Sequence, residues 1–227
     1  MSRTPLASLV ASRSSALAVV LVLLALMHAS ACATEALSAA DGARVARAIA
    51  TDRARYPELD GREIAVSALY DDAVFFQANF TLGSALSDGP LAYAIQANPR
   101  ALSGAVDDDA LAGVLGHELA HLRDYQSRTR AQLVELIAPA LLPTSSTWER
   151  GTDLVAIARG FGPGLLRFRV WSFRVLARDD VATKRAVYYS PLEIALLLDV
   201  KTRCPALFAG FLASPPTTAR AIATHCP

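Results

Sequence analysis

The chain has 227 residues, 53% of them apolar, a formal net charge of +1 and three cysteines. That length suffices for one domain with a real core plus a targeting segment. A near-neutral balance with no basic run excludes a chain built to neutralise phosphates, so no nucleic-acid partner is expected.

Residues 1–31 read as an export signal. Arg3 and Arg13 form a positive start, and Ala16 to Met27 is an unbroken apolar run of twelve, the length of a signal-peptide core. Removing 1–31 takes two positive charges and no acid, leaving a net charge of −1. Three fates stay open. Ala29-x-Ala31 fits a cleavage site before Cys32. Ser30-Ala31-Cys32 resembles a bacterial lipobox, which would lipidate Cys32, although Ala29 stands where Leu is usual. An uncleaved segment would serve as a membrane anchor, though twelve apolar residues are short for a bilayer. Either lipidation or retention would give membrane association; all three fates place the folded domain, 35–227, in a bacterial-type periplasm or envelope. An oxidising compartment would let Cys204 pair with Cys226.

In chain order, Ser38-Ala39-Ala40-Asp41 resembles a capping box, and Val45, Ala46, Ile49 and Ala50 follow at helical spacing until Pro57. Glu63–Tyr70, Ala73–Phe80 and Leu91–Ala97 are strand-like runs, expected to form a small antiparallel sheet. Asp107-Asp108-Asp109 suit the start of a helix whose positive dipole end favours acids. Its buried stripe is Leu111, Val114, Leu115, Leu119 and Leu122, continuing to about Arg130. Gly113 and Gly116 cost helix propensity and predict close approach by another segment.

Gln132 to Leu142, interrupted by Pro139 and Pro143, reads as a core helix, with a substrate-side flap or membrane-touching segment as the alternative. Ser145-Ser146-Thr147 can cap a helix from Trp148 to Phe161. Leu165 to Ala177 mixes Arg with Trp171 and Phe173 and reads as an amphipathic packing helix. Ser190-Pro191-Leu192-Glu193 is a strong helix start, and Ile194 to Val200 supplies its buried face. Pro215-Pro216-Thr217 separates two short helices. The whole is α+β and mainly helical, one domain without repeats.

Within the central helix, residues 117–121 are His-Glu-Leu-Ala-His. Two His four apart stack on one helix face, where two imidazole nitrogens can lie about 2 Å from a single zinc ion. Glu118 then lies beside the ion and can take a proton from water. Two His hold zinc incompletely, and no third His follows at the spacing that would complete the site; His225 is at the extreme tail. A carboxylate on a later helix is therefore expected. Glu135 lies too near in sequence to fold back, and Glu193 is explained by its cap. Glu149 opens Glu149-Arg150-Gly151-Thr152-Asp153. Glu149 and Asp153 share a helix face, so Glu149 can ligate while Asp153 accepts a hydrogen bond from the outer ring nitrogen of a ligating His.

His-Glu-Leu-Ala-His at 117–121 followed by Glu149-x-x-x-Asp153 resembles the gluzincin metallopeptidases related to HtpX and the CaaX prenyl endopeptidase. The resemblance covers roughly Leu91 to Gly162. It implies a zincin-like domain, one Zn²⁺ held by His117, His121 and Glu149, Glu118 as general base and Asp153 as orienter. Thr152 departs from the family, which usually has Ala there, and the extra membrane spans of polytopic members are absent.

The expected function is a zinc endopeptidase of the envelope acting on peptide or protein substrates, with protein quality control as the expected setting. Residue type alone nominates Tyr188, Tyr189 and Arg185 as oxyanion donors, and Leu91 to Ala97 as a strand pairing with extended substrate. The alternative is a non-catalytic envelope lipoprotein using the same fold for binding or assembly.

Overall fold

The computed structural model describes residues 36–104, 106–137 and 146–223. The export segment 1–31, Cys32, Pro139, Pro143, Ser145, His225 and Cys226 lie outside them.

Helix α1 (Ala39–Asp52) starts at Ser38, whose hydroxyl accepts from the Asp41 amide at 3.1 Å. It buries Val45 and Ile49. It stops short of Tyr56, because a residue before proline is driven out of the α region. Two short 3₁₀ turns, Arg53–Arg55 and Pro57–Leu59, carry the chain on, with Tyr56 at φ −129° between them.

The strands are β1 (Ile64–Ala68), β2 (Phe76–Phe80) and β3 (Tyr93–Ala97), with the short helix α2 (Leu82–Ala85) between the last two. The sheet is mixed, which corrects the antiparallel expectation. The order is β1-β3-β2, with β1 parallel and β2 antiparallel to β3. The β1–β2 link is too open for a tight hairpin. Asp71 accepts from the amides of Ala73 and Val74 and turns the chain outward. Asn98, following β3, donates to the carbonyls of Asp71 (2.6 Å) and Val74 (3.1 Å). The last strand therefore enters between the first two. Strand alternation gives one dry face of Phe76, Ala78, Tyr93, Ile95 and Ala97 and one polar face, where Asn79 donates to Gln96.

After α3 (Pro99–Leu102), the long helix α4 (Asp108–Ser127) begins. Asp107 caps it, accepting from the Ala110 amide at 2.7 Å. Arg44 of α1 pairs with Asp108 at 2.7 Å and donates to the Val106 carbonyl, fixing that end. All five residues of the predicted stripe are buried. The dry sheet face packs on α4: the Phe80 and Tyr125 rings lie 5.0 Å apart, and the Tyr93 hydroxyl donates to Gln126 at 2.5 Å. The helix ends three residues before Arg130, where Arg128 turns extended.

A separate helix, α5 (Arg130–Ile137), follows. It buries Leu133 but leaves Val134 42% exposed, so the predicted core helix is only half realised; residues 138–145 are outside the described chain.

The remaining helices are α6 (Ser146–Ala158), α7 (Gly162–Val175), α8 (Arg178–Val187), α9 (Pro191–Arg203), α10 (Pro205–Ala213) and α11 (Ala219–Ala223). Gly160 at φ +91° ends α6, as a left-handed residue commonly does. Lys201 of α9 donates to the carbonyls of Ile157 and Ala158 there. The Ser190–Glu193 capping box forms in full. The Arg/aromatic face of α7 is used for packing: Phe168, Arg169 and Ser172 are buried, and the Trp171 ring lies tilted against Phe75 with centroids 4.7 Å apart.

Helix α7 crosses α4 at backbone contact. A Cβ on Gly113 would sit 2.0 Å from the Leu165 nitrogen, and one on Gly164 would sit 2.0 Å from the Asp109 carbonyl. A Cβ on Gly116 would enter the Phe161 ring. The close approach that the two α4 glycines predict is therefore real. Cys204, between α9 and α10, is disulfide-bonded. Among the described residues no helix is long and apolar enough to cross a membrane.

Candidate metal centre

Two helices bring three donor residues together. His117 and His121 stand one turn apart on α4, and Glu149 opens α6 opposite them; all three are at least 95% buried. His117 Nε2 lies 3.1 Å from His121 Nε2. Glu149 Oε2 lies 3.2 Å from the first and 3.1 Å from the second. The three atoms form a near-equilateral triangle.

This arrangement fits a metal ion on two grounds. Three ligand atoms about 2.0–2.1 Å from a tetrahedral centre stand about 3.3 Å from one another, close to the observed edges. The donors are also chemically incompatible without a cation. Two neutral imidazole nitrogens and a carboxylate oxygen all point lone pairs at one spot, and burial denies them water. A proton or a metal must sit there. Without metal the cluster holds protons. Burial alone would lower the His117 pKa, but Asp153, Glu149 and then Glu118 outweigh it and raise it to about 10. Burial would likewise raise Glu149, and the two imidazoles reverse that and hold it far below the carboxylate range. His117, His121 and Glu149 can therefore bind a metal ion.

The outer sides of both rings are held. His117 Nδ1 makes an ion-pair contact of 2.8 Å with Asp153 Oδ1, at an angle poorer than a linear hydrogen bond. Asp153 is wholly buried. It also accepts from Arg169 at 3.0 Å and from the Tyr189 amide at 3.3 Å. Burial opposes its ionisation, but Arg169 and His117 keep its pKa below the ordinary value. Behind His121, Thr152 Oγ1 lies 3.5 Å from Nδ1 while its hydroxyl donates to the Trp148 carbonyl at 3.0 Å. Trp148 covers the same ring, with centroids 4.4 Å apart, and its indole N–H is tethered to Asp124. Both imidazoles are thus turned with Nε2 toward Glu149.

A narrow cleft opens beside His117. Glu118 lines it with Arg169, Lys184 and Tyr188, against an apolar wall that includes Phe76 and Phe168. The three nominated oxyanion donors separate here. Tyr188, at the end of α8, lies 5.9 Å from the His117 ring by centroids, and its hydroxyl makes no hydrogen bond among the described residues. Tyr189 points elsewhere, its hydroxyl donating to the Pro216 carbonyl at 2.9 Å. Arg185 is exposed, lies over Phe173 and does not line the cleft. Consecutive residues leaving a helix face different ways, so at most one of two adjacent tyrosines reaches a given site.

The competing carboxylates are accounted for. Glu135 is exposed on α5, and Glu193 accepts from the Ser190 amide in its capping box. The substrate strand needs correcting, because β3 is the central strand and both its edges are already paired. The strand that reaches the cleft, through Phe76, is β2, an edge strand among the described residues.

Sequence reasoning missed Arg169, Lys184, Thr152 and Trp148. Arg169 is an Arg on the buried face of an amphipathic helix, and such a position demands a carboxylate partner; that was its one available signal. Compared with known protein families, curated proteins and solved structures, the chain matches none.

Proposed function

We propose that the protein is a zinc-dependent endopeptidase. The observation that carries the reading is the meeting of His117, His121 and Glu149 at one point, beside a cleft that Glu118 lines. Zinc is the ion favoured by two imidazoles and one carboxylate with a fourth position left for water.

When bound, zinc supplies Lewis-acid chemistry, polarising a carbonyl and bringing the pKa of water toward about 7. The chain does the rest. His117, His121 and Glu149 hold the ion, and Asp153 and Thr152 keep the rings turned toward it. Glu118 takes a proton from the attacking water and passes it to the leaving amine. Tyr188 donates its hydroxyl to the oxygen of the scissile carbonyl as negative charge develops. Burial pushes its pKa well above the ordinary value, so it stays a donor at neutral and mildly alkaline pH. The outer edge of β2 offers backbone groups to an extended peptide, and Phe76 gives its side chains an apolar wall. The N-terminal signal directs this activity to the envelope, with Cys32 lipidation one route to membrane association; fractionation of Cys32→Ser against wild type separates anchoring from release.

Zinc content and cleavage of denatured casein test the reading together. Glu149→Ala is expected to lose bound zinc, whereas Glu118→Gln keeps zinc and loses at least 10²-fold in kcat. Undiminished cleavage by Glu118→Gln would remove the mechanism, and no cleavage by zinc-loaded wild type would return the non-catalytic alternative.

A further inference from the structure

The cleft contains one ammonium with no hydrogen-bond or ion-pair partner among the described residues. Lys184 sits on α8, one turn before Tyr188, and its ammonium lies 5.0 Å from the Tyr188 ring centroid. It lines the same cleft as His117 and Glu118. Among the described residues it makes no hydrogen bond and no ion pair. The carboxylates whose charge reaches it are Glu149, Asp71 and Glu118, none within ion-pair distance. Glu149 faces the two histidines, and Asp71 is bound to two backbone amides. Burial costs the ammonium hydration and lowers its pKa from the ordinary lysine value, and Arg169 adds to this.

The charges balance by pairs. With a dication bound, Glu149 and Glu118 offset its two charges, and Arg169 offsets Asp153 across 3.0 Å. Lys184 is left with Asp71, which is held by two backbone amides and lies beyond ion-pair distance, so no carboxylate contacts its ammonium. A half-buried ammonium without a partner is costly, and an incoming anion would remove that cost. The apolar wall of Phe76, Phe168 and Phe173 around it would take the rest of a side chain.

Resting on the zinc-peptidase reading, we propose that Lys184 is a specificity-determining residue that receives a substrate carboxylate next to the scissile bond. A carboxylate there comes either from an acidic side chain or from the free C-terminus of a short peptide. The first would make an endopeptidase selective for acidic residues; the second would restrict the enzyme to chain ends.

Equilibrium binding of three peptidyl hydroxamates to the zinc-loaded protein tests this without turnover. One carries Asp and an amidated C-terminus, one Asn and a free C-terminus, and one Asn and an amidated C-terminus. Wild type is expected to bind one of the two carboxylate-bearing probes about tenfold tighter than the neutral one, and which one identifies the source. Lys184→Met should abolish the difference while binding the neutral probe as wild type does, and Lys184→Arg should restore it. Equal binding of all three probes by wild type, or a preference that survives Lys184→Met, would overturn the proposal while leaving the zinc site standing. Failure of every hydroxamate to bind would take down the zinc reading and this inference together.

Discussion

The Asp153 carboxylate joins the metal centre to the core, and its charge can be removed without changing its shape. Asp153→Asn leaves Arg169 buried, at 6% exposure, with no counter-charge. Removing one member of a buried ion pair costs about 3–5 kcal/mol. The low end, about 3, applies here because the amide oxygen can still accept from the guanidinium at the observed 3.0 Å. Arg169→Met alone should cost less, about 1–2 kcal/mol, since Asp153 keeps its contacts to His117 and the Tyr189 amide. The double variant no longer holds an orphaned charge, so its loss should fall below the sum of the two by about 2 kcal/mol. Urea unfolding followed by circular dichroism, in EDTA so that metal does not contribute, measures all three. Zinc affinity by chelator competition should behave differently. It should drop about 10–100-fold wherever Asp153 is changed, with or without Arg169, because His117 has lost the group that orients it. Additive stability losses, or an Asp153→Asn protein within 1 kcal/mol of wild type, would refute the reasoning.

Three further outcomes are expected. Gly113→Ala should destabilise by about 3 kcal/mol or more and weaken zinc binding, because its methyl would meet α7 backbone at 2.0 Å and neither helix can yield without moving Arg169; thermal melts and zinc titration check both. Burial raises Asp52 to about 6, and its Oδ2 has no hydrogen-bond partner. Its ionised form is therefore disfavoured in the fold relative to the unfolded chain, so Asp52→Asn should stabilise by about 1–2 kcal/mol at pH 7. That gain should fade as pH falls from about 6, where the folded group takes up its proton, and be gone below 3.8, where the unfolded group does too; denaturant midpoints against pH read it. Finally, the raised His117 pKa predicts opposite pH trends with and without metal. In EDTA the stability that protonated His117 contributes is complete below about 6.5 and lost as pH rises toward about 10. Zinc must displace the same proton, so zinc affinity should increase over that range, and a flat affinity profile would contradict the shared proton.

The sequence by itself carried the features whose physics is local. Helix starts at Ser38, Asp107 and Ser190 follow from a side chain reaching an amide a few residues on. The α4 stripe follows from a 3.6-residue period, and the pairing of His117 with His121 from a four-residue step. Even Glu149 and Asp153 were legible, because one helical turn places both on the same face. What needed the tertiary structure was every relation between distant segments. Strand β3 enters between β1 and β2 because Asp71 and Asn98 open the connection, and no periodicity encodes that pairing. Tyr188 lines the cleft and Tyr189 does not, a choice made by how α8 ends against α6 and α7. Arg169 and Lys184 come from helices that look merely amphipathic in sequence, and only packing makes one the partner of Asp153 and leaves the other facing the cleft. The histidine pair was local chemistry. The third donor's arrival within 3.2 Å of both rings, and the unpaired ammonium beside them, are consequences of how four helices pack.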